Sequence, residues 1–316
     1  MKKLLSILAS IGIIATLFTG VASAEDAVKP AVWLQISPVS NRIALESGSQ
    51  LEYSFNVENI GSEAFSYNVY AAPYSVTDGS YELNFSEETP RTQLSRWVTF
   101  KNAEGNYVER ATYTIQPGEK QPIDYRVTVP ADIPEGGQYA TIFAESNPDS
   151  TVESSGIKTV SRVGLVLYGR TNGATDEAAE INDLTLATFL TKGTVKSSVS
   201  IKNSGNTDFE TRYNLIVKSL FGKVVYDNTQ DRTNIYDVLP DTKRDVTIEW
   251  KDTPAFGIFH ATVTVSALGQ TEEISRIILI MPAFVIMIMV LLLTILIIWL
   301  TILVRKRKAQ KSRLIV

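Results

Sequence analysis

The chain has 316 residues, 34 of them acidic and 30 basic, with one histidine and no cysteine. A formal charge of −4 at pH 7 excludes the dense basic footprint that nucleic acid requires. The missing cysteines exclude a disulfide framework, and with a single histidine a zinc site lacks ligands.

The first 24 residues read as a cleaved export signal. Lys2 and Lys3 precede an apolar run over residues 4–18, and Val21-Ala22-Ser23-Ala24 supplies the small residues of a cleavage site. Glu25 is then the first mature residue. Residues 25–276 hold all 34 acidic residues against 22 basic ones, an excess of 12. That balance argues against unspecific electrostatic adhesion to anionic polymers or lipid headgroups. Without disulfides, the exported part must be held by hydrophobic cores, a pattern that suits a bacterial surface.

Strand patterns run almost throughout this region. Leu51, Tyr53, Phe55 and Val57 alternate on one face, Asn59-Ile60-Gly61 turns, and Phe65, Tyr67 and Val69 resume. Ile123, Tyr125, Val127 and Val129 alternate before Pro130. Residues 139–144 and 161–168 read as a final hairpin, with an exposed Ser/Asn/Asp/Pro-rich loop at 145–156. A first sandwich therefore covers 25–169. Residues 170–180 form a Gly/Asn/acid-rich linker, and a second sandwich covers 181–276. Its faces are set by Phe209, Thr211, Tyr213, Leu215 and Val217, by Val246, Ile248 and Trp250, and by Phe259, Ala261, Val263 and Val265.

The halves repeat. Val57-Glu58-Asn59-Ile60-Gly61 matches Ile201-Lys202-Asn203-Ser204-Gly205. Gln116-Pro117-Gly118-Glu119-Lys120 parallels Leu239-Pro240-Asp241-Thr242-Lys243. Gly136-Gly137-Gln138-Tyr139-Ala140-Thr141 parallels Gly257-Ile258-Phe259-His260-Ala261-Thr262. The first copy is longer, mostly through an insertion over 71–100 that carries aromatics among polar residues and an Asp78-Gly79 hairpin signal. Tyr74, Asp78, Tyr81 and Trp97 are its candidate binding residues, because aromatics on sandwich loops make good anchors. The alternative for Trp97 and Tyr81 is packing over the sandwich edge.

No catalytic residue is assigned, and no cofactor or metal is expected. His260 falls on the solvent side of a strand, and the chain has no G-x-S-x-G elbow, P-loop or dinucleotide fingerprint. Leu239-Pro240-Asp241-Thr242 reads as a turn between strands rather than a sorting signal, since Lys243 follows where glycine is needed.

The C-terminus reads as a membrane anchor. Residues 277–304 contain no charge, and sixteen of the residues from 282 to 304 are Ile, Leu, Val or Phe. At about 1.5 Å per residue that stretch crosses a slab of about 30 Å. Pro282 marks the first helical turn. Arg305, Lys306, Arg307 and Lys308 open a basic tail over 305–316, which places the tail in the cytoplasm and residues 25–276 outside. The fold expected is all-β: two tandem immunoglobulin-like antiparallel β-sandwiches plus one C-terminal transmembrane helix.

These residues resemble the WxL-interacting proteins, Gram-positive surface proteins with a signal peptide, two immunoglobulin-like domains, one membrane helix and a basic tail. The layout covers the whole chain. Residues 71–81, Ile115-Gln116-Pro117-Gly118, Val127-Thr128-Val129-Pro130 and Gly136-Gly137-Gln138-Tyr139-Ala140 carry the likeness in the first domain. In the second, Leu239-Pro240-Asp241 and Gly257-Ile258-Phe259 depart from the family's Ala-Pro-Asn and Gly-Tyr signatures. The resemblance implies a non-enzymatic, single-pass type I plasma-membrane protein that contacts cell-wall peptidoglycan, a WxL-type surface protein, or both. The alternative expectation is a structural or accessory subunit of an envelope membrane complex.

Overall fold

The computed structural model describes residues 30–147 and 160–313, with side chains to Arg305. The export signal at 1–24, most of the 145–156 loop, and the side chains of Lys306, Arg307 and Lys308 lie outside the described residues.

The distal module is a sandwich of two five-stranded sheets. One sheet holds β1 (Leu34–Ser37), β3 (Gln50–Asn59), β10 (Lys120–Thr128), β7 (Val98–Lys101) and β8 (Tyr107–Val108), in that order. The other holds β2 (Ser40–Leu45), β12 (Arg162–Thr171), β11 (Gly137–Ser146), β4 (Phe65–Pro73) and β9 (Arg110–Ile115). The alternating residues of β3 and β10 meet in register, Phe55 opposite Ile123 and Tyr53 opposite Tyr125. Their inner side chains close on those of β4 and β11 to make one core. The expected hairpin at 139–144 and 161–168 is β11 with β12. Within the insertion, β5 (Ser75–Val76) and β6 (Leu83–Asn84) form a small hairpin around Asp78-Gly79.

The proximal module repeats the plan. β13 (Ala179–Leu186), β15 (Val195–Asn203) and β19 (Lys243–Trp250) form one sheet. The other contains β14 (Phe189–Leu190), β21 (Gln270–Ile280), β20 (Gly257–Ala267), β16 (Phe209–Ser219) and β17 (Val224–Asp227), with β18 (Ile235–Val238) also on β16. The linker is shorter than 170–180: β12 runs to Thr171 and β13 starts at Ala179.

The repeat has a physical basis. Asn59 and Asn203 are both fully buried. Each side chain accepts the N–H of the glycine two residues on, Gly61 and Gly205, at 2.9 Å, and donates to the carbonyl four residues on at 2.8 Å. A Cβ on Gly61 would stand 2.6 Å from the Ala31 carbonyl, and one on Gly205 2.3 Å from that of Asp176. Both turns therefore need asparagine to close them and glycine to let another chain segment pass.

The helix α1 (Ala283–Arg313) begins directly after Pro282, the expected first turn, so the uncharged stretch 277–304 is not helical over its first residues. Residues 277–280 are the end of β21, with Ile278 and Ile280 buried in the proximal core. Hydropathy cannot separate a core-facing strand end from the span it runs into. The apolar part of α1, Ala283–Arg305, has a mean hydropathy of 3.1, and none of it is buried among the described residues. It is long and apolar enough to cross a membrane.

Candidate functional site on the outer face of the distal module

The outer face of a sandwich sheet is normally polar, so that strands alternate in character. β11 breaks this rule, with every residue from Gly137 to Ala144 buried. Ala140, Ile142 and Ala144 point into the core, while Tyr139, Thr141 and Phe143 face outward. Registers set Tyr139 opposite Tyr168, and Phe143 opposite both Gly164 and Tyr70. Gly164 makes room: a Cβ there would lie 2.9 Å from Thr141 Cγ2 and 3.2 Å from the Phe143 ring.

This aromatic face divides in two. The half nearer the linker is covered by the insertion and by the proximal module, and Tyr74, Tyr139, Tyr168 and Leu239 form a small core of their own. The Tyr139 hydroxyl accepts the Asp208 N–H at 2.9 Å and donates to Asp208 Oδ1 at 3.1 Å. The Tyr168 hydroxyl donates to Asp237 at 3.2 Å. Burial drives both hydroxyl pKa values upward, and nearby phenol or carboxylate groups add to it. Arg42 pairs with Asp208, with Asp237 at 2.5 Å and with Glu210 at 3.4 Å, and lies 4.5 Å over the Tyr168 ring. Burial raises the Asp237 pKa, against the pull of Arg42.

The four candidate residues of the insertion fall into this junction or into the core, not onto a free loop. Asp78 accepts the Lys243 N–H at 2.5 Å. Gly79 continues the contact by accepting from Asp245 N–H and donating to the Lys243 carbonyl. The Tyr81 hydroxyl accepts the Leu239 N–H at 2.8 Å, with Arg244 4.0 Å above its ring. Tyr74 is buried, and Trp97 is buried in the distal core under the sandwich end. What Tyr74, Asp78 and Tyr81 hold in the structure is the proximal module. Leu239-Pro240-Asp241 is indeed a turn between strands, β18 and β19, but one that also takes part in the junction.

The other half of the aromatic face is not covered by the proximal module: Tyr70 and Phe85 are half-buried, and Phe143 is buried among them and Arg162. Phe85 packs edge to face on Phe143 at 4.9 Å, and Tyr70 lies tilted against Phe143 at 5.7 Å. Arg110 lies 4.1 Å over Tyr70, Arg162 lies 4.8 Å over Phe143, and Tyr70 donates to Glu145 at 2.6 Å. Beside them is a shallow pocket of about 450 Å³ whose rim adds Thr77, Glu82, Asn84, Ser86 and Arg162. Its lining is mostly polar, with the half-buried Tyr70 and Phe85 rings set among the polar side chains. Reasoning from the insertion alone missed Tyr70, Phe143, Arg110 and Arg162. The legible signal was the Tyr-Ala-Thr-Ile-Phe-Ala stretch, whose aromatics fall opposite its aliphatics instead of opposite polar residues. A second hollow, about 550 Å³, lies in the junction between Tyr74, Arg91, Glu135 and the turn at Leu239–Thr242. Among the described residues no group of His, Asp or Glu is placed to hold a metal.

No protein-family model and no curated protein matches the chain. Among solved structures, the class 5 fimbriae chaperone CfaA is similar over 78% of this chain and 99% of its own, at 10% identity and a TM-score of 0.35. The Escherichia coli chaperone DraB is similar over 78% of this chain and 98% of its own, at 11% identity and 0.34. A PapD-like domain of human CEP192 covers 46% of this chain and 89% of its own, at 14% identity and 0.30. These likenesses assign no activity.

Proposed function

We propose that this chain is a non-enzymatic, membrane-anchored surface scaffold whose distal module contacts cell-wall glycan at the Tyr70–Phe85–Phe143 pocket. The shallow pocket where the half-buried Tyr70 and Phe85 rings meet a polar rim carries the reading. The half-buried Phe85 ring suits the C–H surface of a sugar, Asn84 and Ser86 can hydrogen-bond hydroxyl and amide groups, and Arg110 and Arg162 suit the carboxylates of peptidoglycan. An ectodomain with an acidic excess has no general attraction for an anionic wall, so binding must come from such a local site. α1 crosses the membrane with the basic tail inside, which puts both modules outside.

A surface protein of the WxL type is the second partner that the family resemblance implies. Backbone pairing at an edge strand is the physical route for it, and β9 is an edge of the distal sheet at the same face. The full-length protein in detergent should pellet with purified sacculi, and Phe85→Ala with the exposed Arg110→Ala should weaken this by about tenfold or more, as expected when two anchors worth about 1 kcal/mol each are lost. Equal pelleting by wild type and the double variant would sink the proposed site. No pelleting by the wild type would sink glycan contact altogether.

A further inference from the structure

The two modules expose three phenylalanines among their described residues, and all three lie at one end. Phe221 is 94% exposed, Phe256 59% and Phe189 53%, with Leu220 at 62% beside Phe221. Registers put them level with one another and with the start of α1. Phe189 pairs with Leu279, and Gly257, the residue after Phe256, pairs with Ile280. Ser219 pairs with Phe259, which pairs with Ile278, so the turn carrying Leu220 and Phe221 reaches the level of Ile280. Across the sheet this turn is two strands from β21, or about 10 Å at the usual strand spacing.

The joint to the helix is short and held. Only Met281 and Pro282 separate β21 from α1, a reach of about 7 Å when extended. The Met281 N–H donates to the Leu190 carbonyl at 2.8 Å, and that of Leu279 to Thr188 at 2.8 Å. On the helix side, the Val285 N–H donates back to Pro282 at 2.9 Å. The loops at this end are also tied together, Thr253 Oγ1 donating to the Gly193 carbonyl at 2.6 Å. Their charge is opposite to that of the rest of the ectodomain. Lys192, Lys223 and Lys251 stand exposed on the three loops, with Asp252 the one acidic residue among them.

We infer that this end of the proximal module is a membrane seat, with Phe221, Leu220, Phe256 and Phe189 entering the outer leaflet and the three lysines meeting anionic lipid phosphates. The inference rests on α1 spanning the bilayer. If the apolar core begins near Ala283, the headgroup layer, about 5–7 Å deep on each side, occupies the level of these loops. Apolar tips ringed by lysine suit that layer, whereas in water they would be an exposed patch without a partner. Seated this way, the proximal module stands fixed on the bilayer and carries the distal module at a set height and tilt.

The cysteine-free chain allows single labels. Full-length Phe221→Cys, Phe256→Cys, Leu293→Cys and Ala64→Cys variants, each carrying an environment-sensitive fluorophore, are reconstituted in phosphatidylcholine/phosphatidylglycerol vesicles holding spin-labelled lipids. Ala64 is at the far end of the distal module and Leu293 is mid-helix. A seat requires Leu293→Cys to be quenched by deep spin labels. It also requires Phe221→Cys and Phe256→Cys to be blue-shifted and quenched several-fold more by shallow labels than Ala64→Cys. Quenching at Leu293→Cys with both loop labels behaving like Ala64→Cys overturns the seat and leaves the anchor. Absence of quenching at Leu293→Cys overturns both.

Discussion

Removing one oxygen should loosen the whole ectodomain. The Tyr139 hydroxyl belongs to the distal module, yet both of its hydrogen bonds go to Asp208 of the proximal one. The Asp208 side chain is only 4% exposed, so water cannot replace what is lost. In Tyr139→Phe the ring keeps its T-shaped contact with Tyr168 at 6.0 Å, and no cavity opens. The Asp208 N–H is left without its acceptor, at about 1–3 kcal/mol, and the carboxylate loses one donor but keeps Arg42, at about 1 kcal/mol. A total near 3 kcal/mol should move the urea midpoint of a fragment covering residues 30–280 by about 1 M, for a slope of about 2–3 kcal/mol/M. Because the loss is at the junction, the single transition should also split, the two modules unfolding at different urea concentrations. Combined with Arg42→Ala, which strips the same carboxylate, the effects should be non-additive. A midpoint shift below about 0.2 M in Tyr139→Phe, with one unchanged transition, would refute the idea that this bond pair couples the modules.

Two further outcomes follow from buried groups. Asn203 donates to the Thr207 and Val238 carbonyls and accepts from Gly205, so Asn203→Ala should cost about 3 kcal/mol. Asn59→Ala should cost a similar amount in the distal module, measured by thermal unfolding of the same fragment; a mild effect at either site would contradict the equivalence of the two turns. Burial pushes the hydroxyls of Tyr113, Tyr125 and Tyr213 up to about 12 from an ordinary 10.0. Their protonated forms favour the folded state, so this stability is complete below pH 10 and is lost as pH rises toward 12. Absorbance titration of tyrosinate should therefore lag in the native fragment and jump on alkaline unfolding; full titration near pH 10 without unfolding would rule this out.

The sandwiches were legible because alternation is a short-range property. Leu51 to Val57 and Phe209 to Val217 each show one apolar face, and that face can only be buried against another sheet. The Asn-x-Gly pairs were legible for a related reason: an asparagine closing its own turn uses residues at most four positions away. The aromatic half-face is not legible as a site in the sequence, because the outward Tyr139 and Phe143 acquire meaning only beside Tyr70 and Arg162 on neighbouring strands. Hydropathy alone extends the apolar stretch back to 277 by the same limitation, since Ile278 and Ile280 look like lipid-facing residues until β20 is beside them.

By itself the sequence determined an all-β chain in two related halves that ends in a helix long and apolar enough for a bilayer, because side-chain period, turn chemistry and hydropathy act over a few residues. Only the tertiary structure decided which aromatics are used up inside the chain and which remain open. Tyr81 meets the backbone of a residue 158 positions away, and Tyr139 meets Asp208, 69 away. Whether a loop side chain is a free anchor or an internal strut depends on what the fold brings against it, and no local pattern carries that information.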